Sequence, residues 1–88
     1  MVERTVTIVN RQGLHARPAA EIVKIASRFN AEVTLIRDDL EVNGKSIMGV
    51  MMLAAEQGAS LLLRADGPDA EQAVDALSTL IANKFGES

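Results

Sequence analysis

The stretch Gly13-Leu14-His15-Ala16-Arg17-Pro18-Ala19-Ala20 joins a predicted strand to a predicted helix. Before it, Val6 and Ile8 alternate with threonines within a strand predicted over Arg4 to Val9. Pro18 favours the first turn of a helix, where its missing backbone N–H loses no hydrogen bond. The helix is therefore predicted to begin within a residue or two of His15, the only histidine of the chain.

At the start of a helix, His15 would lie in an environment that binds anions. The unpaired backbone N–H groups at the start of a helix bind anions, and phosphate suits them well. His15 adds a nucleophile at that point and Arg17 adds a cation. We therefore predict that His15 carries a phosphoryl group, that Arg17 contacts it, and that the backbone N–H groups of Ala16 and Arg17 bind its oxygens. The alternatives are a helix cap without a chemical role for His15 and a solvated cation for Arg17.

Size and composition limit the class of protein. The chain has 88 residues, which suits a single domain over 1–88, and 48% of them are hydrophobic. It contains no cysteine and one histidine, so we expect no disulfide, no metal site and no cofactor. The net charge of −3 argues against nucleic-acid binding. The sequence shows neither a signal peptide nor an apolar run of about 20 residues, so we expect a cytoplasmic protein without membrane insertion.

The periodicity of apolar residues predicts the order β-α-β-β-α-β-α. Helices are predicted over Ala16 to Phe29, over Ile47 to Ala54, and from Pro68 to near Gly86; further strands are predicted around Val33 and Leu35, over Leu40 to Val42 and over Leu61 to Ala65. The apolar faces of such amphipathic helices become buried when they pack against a sheet. The predicted fold class is α+β, with one open sheet and three helices on one of its faces.

The second predicted helix is apolar on nearly all sides. Ser46 is a plausible N-cap for it. Val50 and Leu53 share one face of this helix and should enter the core. A small domain with one sheet does not have enough surface to bury the opposite face of the helix as well. We therefore expect an exposed patch, which suits docking to several partners. The predicted docking residues are Ile47, Met48, Met51 and Met52, together with Ala20, Lys24 and Lys45. The two lysines are equally well explained as a solvated rim.

Two segments resemble the HPr family, the histidine-containing phosphocarriers of the bacterial phosphoenolpyruvate-dependent phosphotransferase system. One is the stretch from Gly13 to Ala20, and the other is Lys45-Ser46-Ile47-Met48-Gly49-Val50-Met51, which is similar to the family's regulatory serine segment. The resemblance spans essentially the whole chain. It implies an open-faced β-sandwich, in which a four-stranded antiparallel sheet lies under three helices.

The resemblance also implies partners and roles. His15 would accept phosphate from the phosphorylated first enzyme of the system and donate it to an A-type, sugar-specific acceptor domain. Arg17 would contact the phosphoryl group, and Ser46 would be a regulatory phosphorylation site. A serine kinase, a phosphatase and a transcriptional regulator are further expected partners, and we expect a monomer. The chain would act as a component of a relay and not as an enzyme in its own right.

Three other functions stay open at this point. One is the nitrogen-branch homologue of the same family. Another is a serine-switched interaction protein that binds other proteins without relaying phosphate, although the intact His15 and Arg17 favour the relay. The third is a stand-alone catalytic or small-molecule-binding domain, for which the chain offers neither a phosphate-binding loop of the G-x-x-x-x-G-K-[ST] type nor a Ser/His/Asp set.

Overall fold

The computed structural model describes residues 1–87. Its elements follow the predicted order β-α-β-β-α-β-α, with a short turn added at the end. From the N-terminus they are β1 (Val2–Thr7), α1 (Ala16–Ala26), β2 (Glu32–Arg37), β3 (Leu40–Asn43), α2 (Ile47–Met52), β4 (Ser60–Asp66), α3 (Ala70–Ala82) and a 3₁₀ turn (Lys84–Gly86). The predicted fold class is confirmed. Within the described residues, no helix has both the length and the apolar character needed to cross a bilayer.

The four strands form one antiparallel sheet in the order β1-β4-β2-β3. The central strand β4 pairs with both β1 and β2, and its alternate residues Leu61, Leu63 and Ala65 are buried. Leu63 lies opposite Leu35 of β2, so the buried side chains of neighbouring strands share one face. The three helices cover this face, and α1 packs against both α2 and α3. Helices α1 and α2 therefore lie side by side. The predicted site residues lie on these two helices or just before them.

Strand β1 ends at Thr7, two residues before the predicted end at Val9. The next residue, Ile8, is buried and exchanges backbone hydrogen bonds with a loop instead of continuing the ladder. Its N–H donates to the carbonyl of Ala59 at 2.9 Å, and its carbonyl accepts from the N–H of Gly58 at 2.7 Å. The chain therefore leaves the sheet earlier than the apolar pattern indicates.

All three helices end earlier than predicted, and for α1 and α2 the difference has a local cause. Helix α1 ends at Ala26 and not at Phe29, because the N–H groups of Arg28 and Phe29 bond to carbonyls only three residues back. Helix α2 ends at Met52 and not at Ala54, because Ala54 has a left-handed backbone with φ of 46°. Arg37 donates to the carbonyls of Leu53 and Ala54 at 3.2 and 2.9 Å and so satisfies this helix end.

The start of α3 also differs from the prediction. Pro68 lies before the helix, and the N-cap position belongs to Asp69. The Asp69 carboxylate does not cap its own helix: it accepts the backbone N–H groups of Asn30 and Ala31, each at 2.8 Å. These hydrogen bonds, that from Asn30 first, hold the pKa of Asp69 below its ordinary value of 3.8. The carboxylate thus ties the start of α3 to the loop between α1 and β2.

We predict that Asp69→Asn lowers the melting temperature at neutral pH, because an amide oxygen accepts these N–H groups more weakly than a carboxylate does. The folded-state pKa lies below the unfolded one, so the carboxylate stabilises the fold above pH 3.8, and this contribution is lost as the pH falls further. Thermal unfolding of both proteins should therefore show a gap that closes in acid. Asp75→Asn, which removes only an exposed ion pair with Arg4, is the control and should change little. A gap that persists in strong acid would contradict the assignment.

Candidate functional site

His15 is the N-cap residue of α1, as the position of Pro18 predicted. Its backbone is extended, and its carbonyl accepts the N–H of Ala19 at 3.1 Å. The imidazole does not cap the helix, and 35% of the side chain is exposed, so the ring is available to a partner. Ala16 and Arg17 are the first two residues of α1, where the backbone N–H groups have no acceptor within the helix. The predicted grouping of an imidazole with two free N–H donors is therefore present.

The loop before His15 is fixed by contacts with the segment after α2. The N–H of Leu14 donates to the carbonyl of Ala55 at 2.9 Å, and the Leu14 side chain is buried. Gly13 has φ of +67°, and a side chain there would overlap the carbonyl oxygen of Ala55. Glycine is therefore required both for its backbone conformation and for this close approach. The position of His15 relative to α2 follows from these contacts.

His15 lines a cleft of about 340 Å³ together with Arg11, Gln12, Arg17 and Glu87. Arg17 is exposed, and its guanidinium makes no hydrogen bond or ion pair with any residue of 1–87. The cleft thus holds two guanidinium groups, an imidazole and one carboxylate. A guanidinium without a partner beside free backbone N–H groups can bind a phosphoryl group, as predicted for Arg17. Residues 1–87 contain no cluster of three or more side chains suited to a metal ion.

The carboxylate in this cleft is the feature that the sequence did not indicate. Glu87 Oε1 lies 3.0 Å from His15 Nε2 and accepts the Nδ2–H of Asn10 at 2.8 Å. The hydrogen bond with His15, followed by that with Asn10, lowers the pKa of Glu87. The ring of His15 therefore has a negative charge beside it, in addition to the cation of Arg17 that the sequence predicted.

Sequence reasoning missed four residues of this region: Asn10, Arg11, Gln12 and Glu87. The first three lie in the loop before His15, where their proximity was a usable signal. Glu87 lies 72 residues from His15 along the chain, and no local pattern connects them. It follows α3, which ends at Ala82 and not near Gly86 as predicted.

Helix α2 has the two faces that its sequence predicted. Ser46 is its N-cap, and the Ser46 Oγ accepts the N–H of Gly49 at 3.1 Å. Val50 and Leu53 are buried, and Met48 is 77% exposed. The other exposed apolar residues of this helix are Ile47, Met51 and Met52. We call these four exposed residues the apolar patch.

The remaining predicted docking residues lie on α1 or just before α2, and they differ in their contacts. Ala20 and Lys24 are exposed on α1, which packs against α2. Lys45 is only partly exposed, and its Nζ donates to the carbonyl of Phe29 at 2.8 Å. Lys45 therefore also holds the turn that follows α1.

Comparison with known proteins gives a consistent family match. The family model described as the phosphorylation site of the HPr component of the phosphotransferase system matches residues 2–83. The phosphocarrier protein HPr of Treponema pallidum is 53% identical over 87 residues, which cover 99% of both chains. The phosphocarrier protein NPr of Shewanella violacea is 39% identical, covering 99% of this chain and 96% of the relative. The crystal structure of HPr-C-His from Thermoanaerobacter tengcongensis has a TM-score of 0.96 at 49% identity, and covers 100% of this chain and 99% of that one.

Proposed function

The chain belongs to the HPr family of phosphocarriers, and from this premise we propose that His15 is the residue that carries the phosphoryl group. His15 accepts it from the phosphorylated first enzyme of the phosphotransferase system and donates it to an A-type, sugar-specific acceptor domain. One observation carries the proposal: the partly exposed imidazole lies at the start of α1, beside N–H groups of Ala16 and Arg17 that have no acceptor within the helix and beside the Arg17 guanidinium, which has no partner among residues 1–87.

The geometry suits transfer between proteins. Phosphoryl transfer depends chiefly on positioning and on stabilising the charge of the transferred group. His15 supplies the nucleophile, while Arg17 and the helix N–H groups stabilise negative charge on the phosphoryl oxygens. The cleft is open to solvent on one side, so a partner can complete it. The chain thus supplies half of a catalytic site and acts as a carrier, without catalysing turnover alone.

The apolar patch is the proposed docking surface for these partners. It lies on the helix next to α1, and the contact between Leu14 and Ala55 fixes its position relative to His15. Protein interfaces are centred on a few large apolar side chains and are surrounded by polar groups. Lys24 and Arg17 are exposed on α1, the helix that packs against α2, and their positive charge favours a partner with an acidic surface.

Ser46 is the proposed regulatory site. Its hydroxyl caps the helix that bears the apolar patch, so a phosphate there would enter the proposed interface. The same helix N-terminus accommodates negative charge, so the fold would survive the modification. A serine kinase, a phosphatase and a transcriptional regulator complete the proposed set of partners, and the relay is proposed to operate in the cytoplasm. Relay and serine control are compatible in one molecule.

We predict that phosphoenolpyruvate and the first enzyme add one acid-labile, base-stable phosphate to the protein, and that His15→Ala abolishes it. Intact-mass measurement before and after acid treatment checks both statements. Arg17→Ala is the second variant to test, because it retains the acceptor His15 and removes only the charge that stabilises the phosphoryl group. It should be phosphorylated about 100-fold more slowly with an unchanged melting temperature. Labelling that survives in the His15 variant would refute the proposed acceptor.

We predict that Met48→Asp raises the concentration needed for half-maximal phosphorylation by about 10-fold or more, because it places a charge at the centre of the docking surface. Steady-state labelling with the first enzyme measures this concentration, and circular dichroism checks the fold. Gln72→Asp adds the same charge on an exposed position of α3 and is the matched control. Equal effects of the two variants would argue against the apolar patch as the docking surface.

We predict that Ser46→Asp weakens productive binding to the first enzyme by about 10-fold at low salt, and that the effect shrinks as salt screens the repulsion. Ser46→Asn is the matched control, since asparagine caps a helix as well as aspartate does but adds no charge. Labelling titrations at two salt concentrations compare the variants. If the Asp and Asn variants behave alike, charge at this position is not the inhibitory element.

A further inference from the structure

The sulfur of this chain is concentrated on one helix. Of its four methionines, Met48, Met51 and Met52 lie on the six-residue helix α2, and Met1 lies before the first strand. The chain has no cysteine, so these thioethers are its only sulfur groups. A reagent that attacks sulfur therefore has three of its four targets within the apolar patch.

The three methionines of α2 are neighbours, and all are open to solvent. Met51 and Met52 follow Met48 by three and four residues, which are the spacings of adjacent side chains on a helix surface. Met48 is 77% exposed, Met51 43% and Met52 64%. An oxidant in solution can therefore reach each of these side chains without any opening of the fold.

The packing of the domain does not depend on these methionines. Helix α2 is held by the buried residues Val50 and Leu53 and by the Ser46 cap. Within residues 1–87, the buried core contains no methionine. A chemical change of the exposed methionines therefore alters the surface of the protein and leaves its core intact.

Peroxides convert exposed thioethers into sulfoxides. The thioether sulfur donates an electron pair to one oxygen of hydrogen peroxide as the O–O bond breaks. A sulfur–oxygen bond forms, and the other oxygen leaves as water with both protons. Sulfur is oxidised and the peroxide is reduced, so no further reactant is needed. The product side chain is polar, whereas the thioether is apolar.

We propose that Met48, Met51 and Met52 form a reversible oxidation site that controls docking. Their sulfoxides place polar groups in the centre of the apolar patch, and burying such groups against a partner without hydrogen bonds costs free energy. His15 and Arg17 lie at the start of α1 and contain no sulfur, so the transfer chemistry is retained. Methionine sulfoxide reductases reverse the change, one enzyme for each sulfoxide epimer. This inference rests on the proposed docking function of the apolar patch.

Two competing explanations predict different results. If the interface tolerates the sulfoxides, oxidation changes neither kcat nor KM. If oxidation instead disturbs the packing of α2, the melting temperature falls. An oxidation site that controls docking raises KM alone, and either of the other two results would contradict it.

The test uses the full chain before and after treatment with hydrogen peroxide. Peptide mapping by mass spectrometry locates the added oxygen atoms, and steady-state labelling with the phosphorylated first enzyme gives kcat and KM. Oxidation of the three α2 methionines should raise KM about 10-fold, as loss of an apolar anchor does, and should leave kcat and the melting temperature unchanged. Treatment with both reductases should restore the initial KM.

The control is the triple variant Met48→Leu, Met51→Leu and Met52→Leu, which keeps apolar side chains of similar volume and retains Met1. Each protein is compared with its own untreated sample, so a difference in starting affinity does not enter the comparison. Peroxide should oxidise only Met1 in the variant and leave its KM unchanged. A KM that rises equally in both proteins, or that stays constant in fully oxidised wild type, would overturn the inference.

Met48→Asp separates failure of the oxidation site from failure of the docking surface. If Met48→Asp raises KM and the sulfoxides do not, the apolar patch still docks partners and the oxidation site alone is wrong. If neither change affects KM, the docking surface itself is wrong.

Discussion

The backbone hydrogen bond from Leu14 to Ala55 is the contact on which the rest of the site depends. It joins the loop that carries His15 to the segment that leaves α2, and Gly13 permits the close approach. Together with the packing of α1 against α2, this hydrogen bond fixes the imidazole relative to the apolar patch. A carrier that must meet several partners in the same orientation needs this relation, because transfer requires the reacting atoms to be aligned within a fraction of an ångström.

Much of the architecture follows from local sequence patterns. The alternation of apolar and polar residues predicted the strands. Pro18 and Ser46 predicted the beginnings of α1 and α2, because each of them acts through its own backbone or on its nearest neighbours. The presence of one buried and one exposed face on α2 was predictable because a single sheet can bury only one side of a short helix. The position of His15 at a helix start, beside Arg17, was predictable for the same reason, whereas the carboxylate at its ring was not.

Other features depend on contacts that no local pattern encodes. The sequence predicted a helix that starts at Pro68, but it did not indicate that the Asp69 carboxylate accepts the N–H groups of Asn30 and Ala31 in a distant loop. The helix ends were placed too late because residues such as Ala54 and Phe85 adopt the left-handed backbone that sequence reasoning reserves for glycine. Tertiary packing imposes these conformations, so they become visible only once the neighbouring segments are in place.

The site thus combines a local part and a distant part, and the two respond to different changes. Helix α2 is capped by its own Ser46 and displays its apolar patch through local structure. The environment of the His15 ring instead depends on Glu87 and Asn10, which lie 77 residues apart and meet only in the complete fold. A charge on Ser46 would enter the proposed docking surface, whereas the charge of Glu87 lies at the His15 ring. Because Ser46 and Glu87 lie on different elements and share no hydrogen-bond partner within residues 1–87, a change at one of them should leave the contacts of the other intact.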